Sequence, residues 1–224
     1  MQKLFVLLNE KKGLGQADLF GHKTPLTPLD KGGGVTFDEI LKLYEESWVD
    51  DWFESKDKKI KRKKQGREIL KAFYEKYKDN WPTALFLEKG FNLRITDGEN
   101  AYVVRGVVDR IDEDPSTGSG QAGLKLVDYK TGKPKDKLTF EAKEQLLIYQ
   151  LAISELFKQE VKTLAFYYLD NNSEVEFIGS AKDLEKIKAK IINTINEIKQ
   201  GRFGAKPGAL CDWCDFKEIC EFRA

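Results

Sequence analysis

Apolar side chains recur every three or four residues in five stretches of the chain, which is the spacing of an amphipathic helix. The predicted helices cover residues 1–10, 36–48, about 57–77, 139–157 and 181–200. Thr36 and Glu39 have the spacing of a capping box, and Gly201 follows the last helix as its C-terminal cap. Ile60 and Ile198 belong to the apolar positions that we expect to face the core.

Strand-like patterns begin after Pro82. The predicted strands lie within residues 85–95, 101–111, 124–129, 161–170 and 174–178, and Asp97-Gly98 is a hairpin turn signal between the first two. Two stretches, 11–35 and 113–123, are rich in Gly, Pro or small side chains and are predicted to be loops. Three strands, a helix, further strands and a final helix predict an α/β layered fold.

The composition is that of a soluble globular protein, with 41% apolar and 33% charged residues among 224. Lys and Arg total 38 and Asp and Glu total 37, so the net charge of +1 excludes a strongly basic, histone-like nucleic-acid binder. No apolar run reaches the roughly 20 residues that span a bilayer. The basic run KDKKIKRKK is either a solvated helix face or a contact surface for phosphates, and the sequence leaves both open.

Three cysteines, Cys211, Cys214 and Cys220, lie close together near the end of the chain. An odd, clustered set argues against a secreted disulfide framework and favours a reducing, cytoplasmic location with a metal or cluster role. The single histidine, His22, excludes a site built from several histidines.

Two acids stand in apolar strand segments, Asp109 in GVVDRID and Asp128 in LVDYK. A carboxylate in that setting is costly unless it is paired or binds a cation, and two on neighbouring strands can share Mg²⁺ or Mn²⁺. Lys130 follows Asp128 by two residues and projects from the same sheet face. A metal with an adjacent Lys suits phosphodiester hydrolysis. Ordinary salt bridges with Arg105, Arg110 or Lys130 remain an alternative.

Three further side chains are candidates for the same site. Glu88 lies in the first strand, either as a third acid or as a surface residue. Gln145 and Tyr149 share one helix face at the i and i+4 positions, where they either orient Lys130 or simply solvate and pack the helix.

The segments GVVDRID, LVDYKTGKPK and EQLLIYQLA together resemble the RecB-like branch of the PD-(D/E)XK nuclease superfamily. The resemblance looks closest to the nuclease domain at the C-terminus of UvrD/RecB-type superfamily 1 helicases, and it covers residue 36 to the end. It implies a restriction-endonuclease-like core, with a central mixed sheet flanked by helices. It further implies that Asp109, Asp128 and the Tyr129 carbonyl bind Mg²⁺ or Mn²⁺, that Lys130 is catalytic, and that Gln145, Tyr149 and Glu88 complete the site.

The cysteines resemble the C-terminal part of that family's iron–sulfur staple, in which a fourth, upstream Cys completes a [4Fe–4S] cluster. This sequence supplies three thiols, so three reduced cysteines without a cluster are the alternative. The family also carries an upstream helical His as a metal ligand, and His22, in a loop sequence, is predicted not to be it. We therefore expect a chain that begins inside the domain. Its predicted parts are a residual helix and loop insertion (1–35), the nuclease core (36–200) and a Cys-bearing segment (201–224).

The predicted function is a metal-dependent DNA nuclease that processes ends or single strands, fed by a helicase module in the same or a partner chain, in DNA repair or recombination. The competing hypothesis is a non-catalytic DNA-binding or structural remnant of such a domain, and an RNA-processing enzyme with the same core is a third.

Overall fold

The computed structural model describes residues 1–12, 34–51, 53–114, 123–134, 138–201 and 203–222. The helices are α1 (Gln2–Lys11), α2 (Phe37–Ser47), α3 (Lys56–Tyr77), α4 (Phe140–Phe157) and α5 (Ala181–Lys199), with a short 3₁₀ helix at Ala209–Trp213. The strands are β1 (Ala84–Asp97), β2 (Asn100–Asp114), β3 (Gly123–Lys130), β4 (Val161–Tyr168) and β5 (Ser173–Phe177). Among the residues described, none of the helices is both apolar and long enough to cross a bilayer.

The five strands form one mixed sheet in the order β1-β2-β3-β4-β5. β1, β2 and β3 pair antiparallel, β3 and β4 pair parallel, and β5 pairs antiparallel with β4. A parallel neighbour requires a crossover connection, and α4 supplies it between β3 and β4. The prediction of an α/β fold with a mixed sheet flanked by helices is confirmed.

Each face of the sheet carries its own hydrophobic cluster. On one face Leu126 and Phe166 pack with Leu147 of α4, and Ile187 of α5 belongs to the same cluster. On the other face Val127 and Tyr167 pack with side chains from the N-terminal helices, among them Phe5 and Phe73. Helices on both faces are what the near-continuous apolar stretch of β3 requires, because that strand is buried on both sides.

The predicted helix ends follow the expected local chemistry. The Glu39 amide donates to the Thr36 hydroxyl at 3.3 Å, and the Thr36 amide donates to Glu39 Oε2 at 2.8 Å, so the capping box is confirmed. Gly201 adopts a left-handed φ of +66° directly after α5, as a C-terminal cap requires.

Two of the predicted core positions are wrong. Ile60 is 66% exposed because the first half of α3 packs against α2, through contacts such as that between the Tyr44 hydroxyl and the Lys63 carbonyl. Ile198 is 55% exposed at the last turn of α5. β2 also continues through Asp114, so the predicted loop at 113–123 begins later than expected. Of the loop predicted over 11–35, residues 13–33, which include His22, lie outside the described residues, and α1 continues through Lys11.

Candidate active site

Asp109 and Asp128 are neighbours across the β2–β3 ladder. Arg110 pairs with Val127, so the two acids are the next residues along the same antiparallel register. The amide of Tyr129 donates to Asp109 Oδ2 at 2.9 Å. The side chain of Asp109 is therefore fixed against the backbone beside Asp128.

Asp128 occupies an environment that disfavours an isolated charge. It is 2% exposed, and burial raises the pKa of its carboxyl, while Lys130 opposes that rise and Asp109 adds to it. The Lys130 ammonium lies 2.7 Å from Oδ2 and offsets part of the cost of burying this charge. A carboxylate has about four lone-pair positions, so Asp128 can accept this contact and still face a cation.

Lys130 is held from the far side by α4. Its Nζ donates to Gln145 Oε1 at 2.8 Å, and Gln145 Nε2 donates to the Tyr149 hydroxyl at 2.8 Å. Burial raises the pKa of Tyr149, the hydrogen bond from Gln145 lowers it, and the two acids raise it further. The structure thus brings Asp109, Asp128, Lys130, Gln145 and Tyr149 together in one continuous network.

Glu88 lies on β1 in the register position opposite Asp109, between the pairs Leu87↔Arg110 and Lys89↔Val108. Its φ of +48° is left-handed, which is uncommon for a residue other than Gly and costs on the order of 1–2 kcal/mol. Its side chain is exposed. Backbone strain of this kind concentrates at functional sites, which is compatible with a role for Glu88 in the active site. That Glu88 contributes an acid there stays a prediction.

Residues 28–221 match the family model of the PD-(D/E)XK nuclease superfamily. The chain belongs to the PD-(D/E)XK nuclease superfamily. No curated protein matches it significantly. A solved structure titled "Crystal structure of SSO0001" is 20% identical with a TM-score of 0.41, and the match covers 62% of this chain and 60% of that one.

PD-(D/E)XK nucleases typically use Mg²⁺ or Mn²⁺, and the donors present fit such an ion. Asp109 and Asp128 are hard oxygen ligands, and Mg²⁺ is usually bound by one or two carboxylates together with waters. Within the described ranges no group of three or more His, Cys, Asp or Glu side chains is arranged to hold a metal, so Glu88 does not join the two acids in such a group. The set suits a hydrated Mg²⁺ or Mn²⁺ better than Zn²⁺, whose protein sites usually include His nitrogen or Cys sulfur ligands.

The cysteine segment of this PD-(D/E)XK chain does not form a metal site in the part that the structure describes. All three cysteines are free thiols, with Cys211 half-buried and Cys214 and Cys220 exposed. The amide of Gly208 donates to Cys211 Sγ at 3.3 Å, which is a local turn contact. The predicted iron–sulfur cluster is therefore not supported.

The supporting role of Arg110 was not predicted from the sequence, which offered it only as a possible salt-bridge partner of the acids. Arg110 follows Asp109 but points to the opposite sheet face, where it is 1% exposed. Its Nε donates to Asp112 Oδ2 at 3.0 Å, its Nη1 donates to the Tyr129 hydroxyl at 2.5 Å, and its guanidinium lies 4.4 Å from the centre of the Phe5 ring. Arg110 thus ties β2 to β3 one residue away from each acid. A charged residue embedded in the apolar segment VVDRID was the available signal.

Gly106, the first residue of the GVVDRID motif, makes room for an aromatic contact that reaches the site. A Cβ at this position would lie 2.5 Å from the Phe91 ring, closer than real Cβ contacts. The Phe91 ring packs edge-on against Tyr149, with ring centres 5.7 Å apart. The glycine therefore supports the side chain that ends the Lys130–Gln145–Tyr149 network.

Proposed function

We propose that this chain is a metal-dependent DNA nuclease. The proposal is supported by one observation above all: two adjacent strand acids, Asp109 and Asp128, lie beside a Lys130 ammonium that α4 holds in position through Gln145. Membership of the nuclease superfamily points to DNA as substrate and to hydrolysis of its phosphodiester bonds.

Asp109 and Asp128 would hold the ion, with the Tyr129 carbonyl as a third oxygen by analogy with the family motif. When bound, Mg²⁺ or Mn²⁺ polarises the phosphate and lowers the pKa of a coordinated water. The Lys130 ammonium is placed to orient the attacking water or to offset the negative charge that develops on the phosphate. Gln145 keeps the ammonium from rotating away, since its amide bridges Lys130 and Tyr149.

The finer features of the proposal rest on the motif resemblance. They are action at DNA ends or on single strands, a helicase module as partner, a role in repair or recombination, and a cytoplasmic location. The proposed function assigns no role to the cysteine segment, because the described thiols do not converge on one point.

A non-catalytic DNA-binding module is the second candidate. It is favoured by the finding that, among the described residues, no third His, Cys, Asp or Glu side chain joins Asp109 and Asp128 in a group able to hold a metal. With only two side-chain ligands, metal affinity depends on waters and substrate phosphates rather than on a closed protein cage.

Cleavage of a fluorescent single-stranded oligodeoxynucleotide in Mn²⁺ separates the two functions. We expect cleavage by the wild type, none by Asp128→Asn, and normal cleavage by Glu113→Gln, which alters an exposed acid on the same strand as Asp109. Binding without cleavage by the wild type would favour the second candidate. An RNA strand of the same sequence tests the third hypothesis.

A further inference from the structure

A cavity of about 270 Å³ opens beside Lys130. Apart from that lysine, its described lining comprises Thr131, Lys133, Leu138, Ala142, Phe166 and Tyr168. These side chains take no part in the hydrogen bonds that join Lys130 to Gln145. Lys130 is thus the one predicted site residue in the described lining of the cavity.

The cavity and the active site share one wall. β3 and β4 are parallel, and their register places Phe166 level with Asp128 and Tyr168 level with Lys130. The Lys130 ammonium lies 5.3 Å from the centre of the Phe166 ring. On the helical side, Ala142 precedes Gln145 by three residues, which is about one turn of α4. A phosphate held at Lys130 would therefore carry its attached nucleoside to the mouth of the cavity.

The lining has the chemistry of a nucleotide site. Leu138 and Ala142 are half-buried and, with the buried Phe166 beneath, form an apolar floor, whereas Thr131 and Lys133 are exposed at the rim. A base can pack its flat face on such an apolar surface, and the Lys133 ammonium at the rim attracts a neighbouring phosphate. The volume is below the roughly 300–1,000 Å³ of pockets that enclose drug-sized ligands, so it suits one base with its sugar.

We propose that this cavity binds the base of the unpaired nucleotide adjacent to the phosphate that is cleaved. The inference rests on the proposed nuclease function and names its substrate class. A base in a duplex must leave its stack before it can enter a pocket, which costs a few kcal/mol, whereas a base in a single strand is already free. The cavity thereby selects single strands or frayed ends over intact duplex.

An abasic scan tests the proposal. Single-stranded oligodeoxynucleotides that differ only in the position of one abasic site are cleaved by the full chain in Mn²⁺. We expect kcat/KM at a given phosphate to fall about tenfold or more when the adjacent base is missing, and to change little for abasic sites elsewhere. Equal rates at every position would overturn the inference while leaving the nuclease function intact.

Ala142→Leu provides the matched variant, because it adds side-chain volume to the cavity on a helix that tolerates Leu. It should cleave the intact and the abasic strand equally fast, at the rate at which the wild type cleaves the abasic strand. Ala189→Leu, an exposed helical alanine on α5 that lines a different cavity, should leave both rates unchanged. An Ala142→Leu enzyme that still distinguishes the two strands would contradict the assignment.

The same oligonucleotides allow the proposal and the nuclease function to fail separately. Fluorescence anisotropy in Ca²⁺ measures binding alone. If the wild type cleaves nothing, the nuclease function is wrong, and the cavity is then judged by binding. Tighter binding of the intact strand than of the abasic strand, lost in Ala142→Leu, supports it, and identical affinities refute it.

Discussion

Replacing Arg110 by Met is expected to destabilise the fold strongly, although the residue touches no proposed substrate or metal. Its guanidinium is 1% exposed and neutralises Asp112, which is 6% exposed on the same strand. Removing one partner of a buried ion pair leaves an uncompensated charge and costs about 3–5 kcal/mol. For a chain of this size that corresponds to a fall of about 6–20 °C in the melting temperature.

The defect should depend on pH in a defined direction. Burial raises the pKa of the Asp112 carboxyl, and Arg110 holds that rise back. Without the guanidinium the folded pKa of Asp112 climbs further above its unfolded value of about 4. A carboxyl with a raised folded pKa contributes its stability below the unfolded pKa and loses it as the pH rises through the folded pKa. The deficit of Arg110→Met should therefore be small near pH 4 and grow toward pH 8.

Thermal unfolding followed by circular dichroism, at several pH values, measures this deficit. The double variant Arg110→Met/Asp112→Leu removes both charges and should recover most of the lost stability, because apolar replacements of buried pairs are often neutral. Lys78→Met, which breaks the exposed pair with Glu75, is the control and should change the melting temperature little. The reasoning is refuted if Arg110→Met behaves like Lys78→Met, or if the double variant is no more stable than the single one.

Three further outcomes are expected. Lys130→Met should lower the single-turnover cleavage rate by about 10²–10³, because it removes a preorganised charge at the reacting phosphate; a rate within a few-fold of the wild type would exclude that role. Asp128→Asn should abolish Mn²⁺ binding in a calorimetric titration, whereas Glu113→Gln should bind as the wild type does, and equal binding by both would move the site elsewhere. Gly106→Ala should lower the free energy of unfolding in urea by about 1–3 kcal/mol, because the Phe91 ring must shift. An unchanged unfolding midpoint would show that the ring moves aside at no cost.

The acids of the candidate site could be located from the sequence because each stands in a short motif whose spacing sets its position. Asp109 and Asp128 stand in apolar strand segments, and two-residue alternation places Lys130 on the same face as Asp128. Gln145 follows from helical spacing with Tyr149. Spacing alone left ordinary salt bridges of the acids and a solvated Gln145 open, and the resemblance to the nuclease motifs joined the five side chains in one site. The structure brings all five together.

The role of Arg110 could not be inferred in that way. Asp112 lies two residues further along the same strand, but Tyr129 becomes a neighbour of Arg110 only through the β2–β3 register, which depends on strand pairing over the connection between Asp114 and Gly123. Ile60 shows the opposite error, since its helical spacing is correct but its side chain is 66% exposed. Periodicity identifies which face of an element is apolar and leaves open whether anything covers it.

The spacing of the cysteines along the chain was not sufficient to predict a metal cluster. The arrangement of Cys211, Cys214 and Cys220 is compatible with a cluster, but a ligand set requires convergence in space as well as in sequence. The described thiols do not converge, and their surroundings are exposed.

The β2–β3 ladder has a consequence for how freely this chain can change length. Its connection joins Asp114 to Gly123 at one end, and Asp109 and Asp128 lie beyond its other end, past the pair Arg110↔Val127. Extra residues in that connection would therefore lengthen the chain at the end of the ladder remote from the acids. Each doubling of the number of residues that join two fixed strand ends costs only about 0.6 kcal/mol in closure entropy. The connection is thus a natural place to graft a peptide or reporter without altering the spacing of the metal ligands.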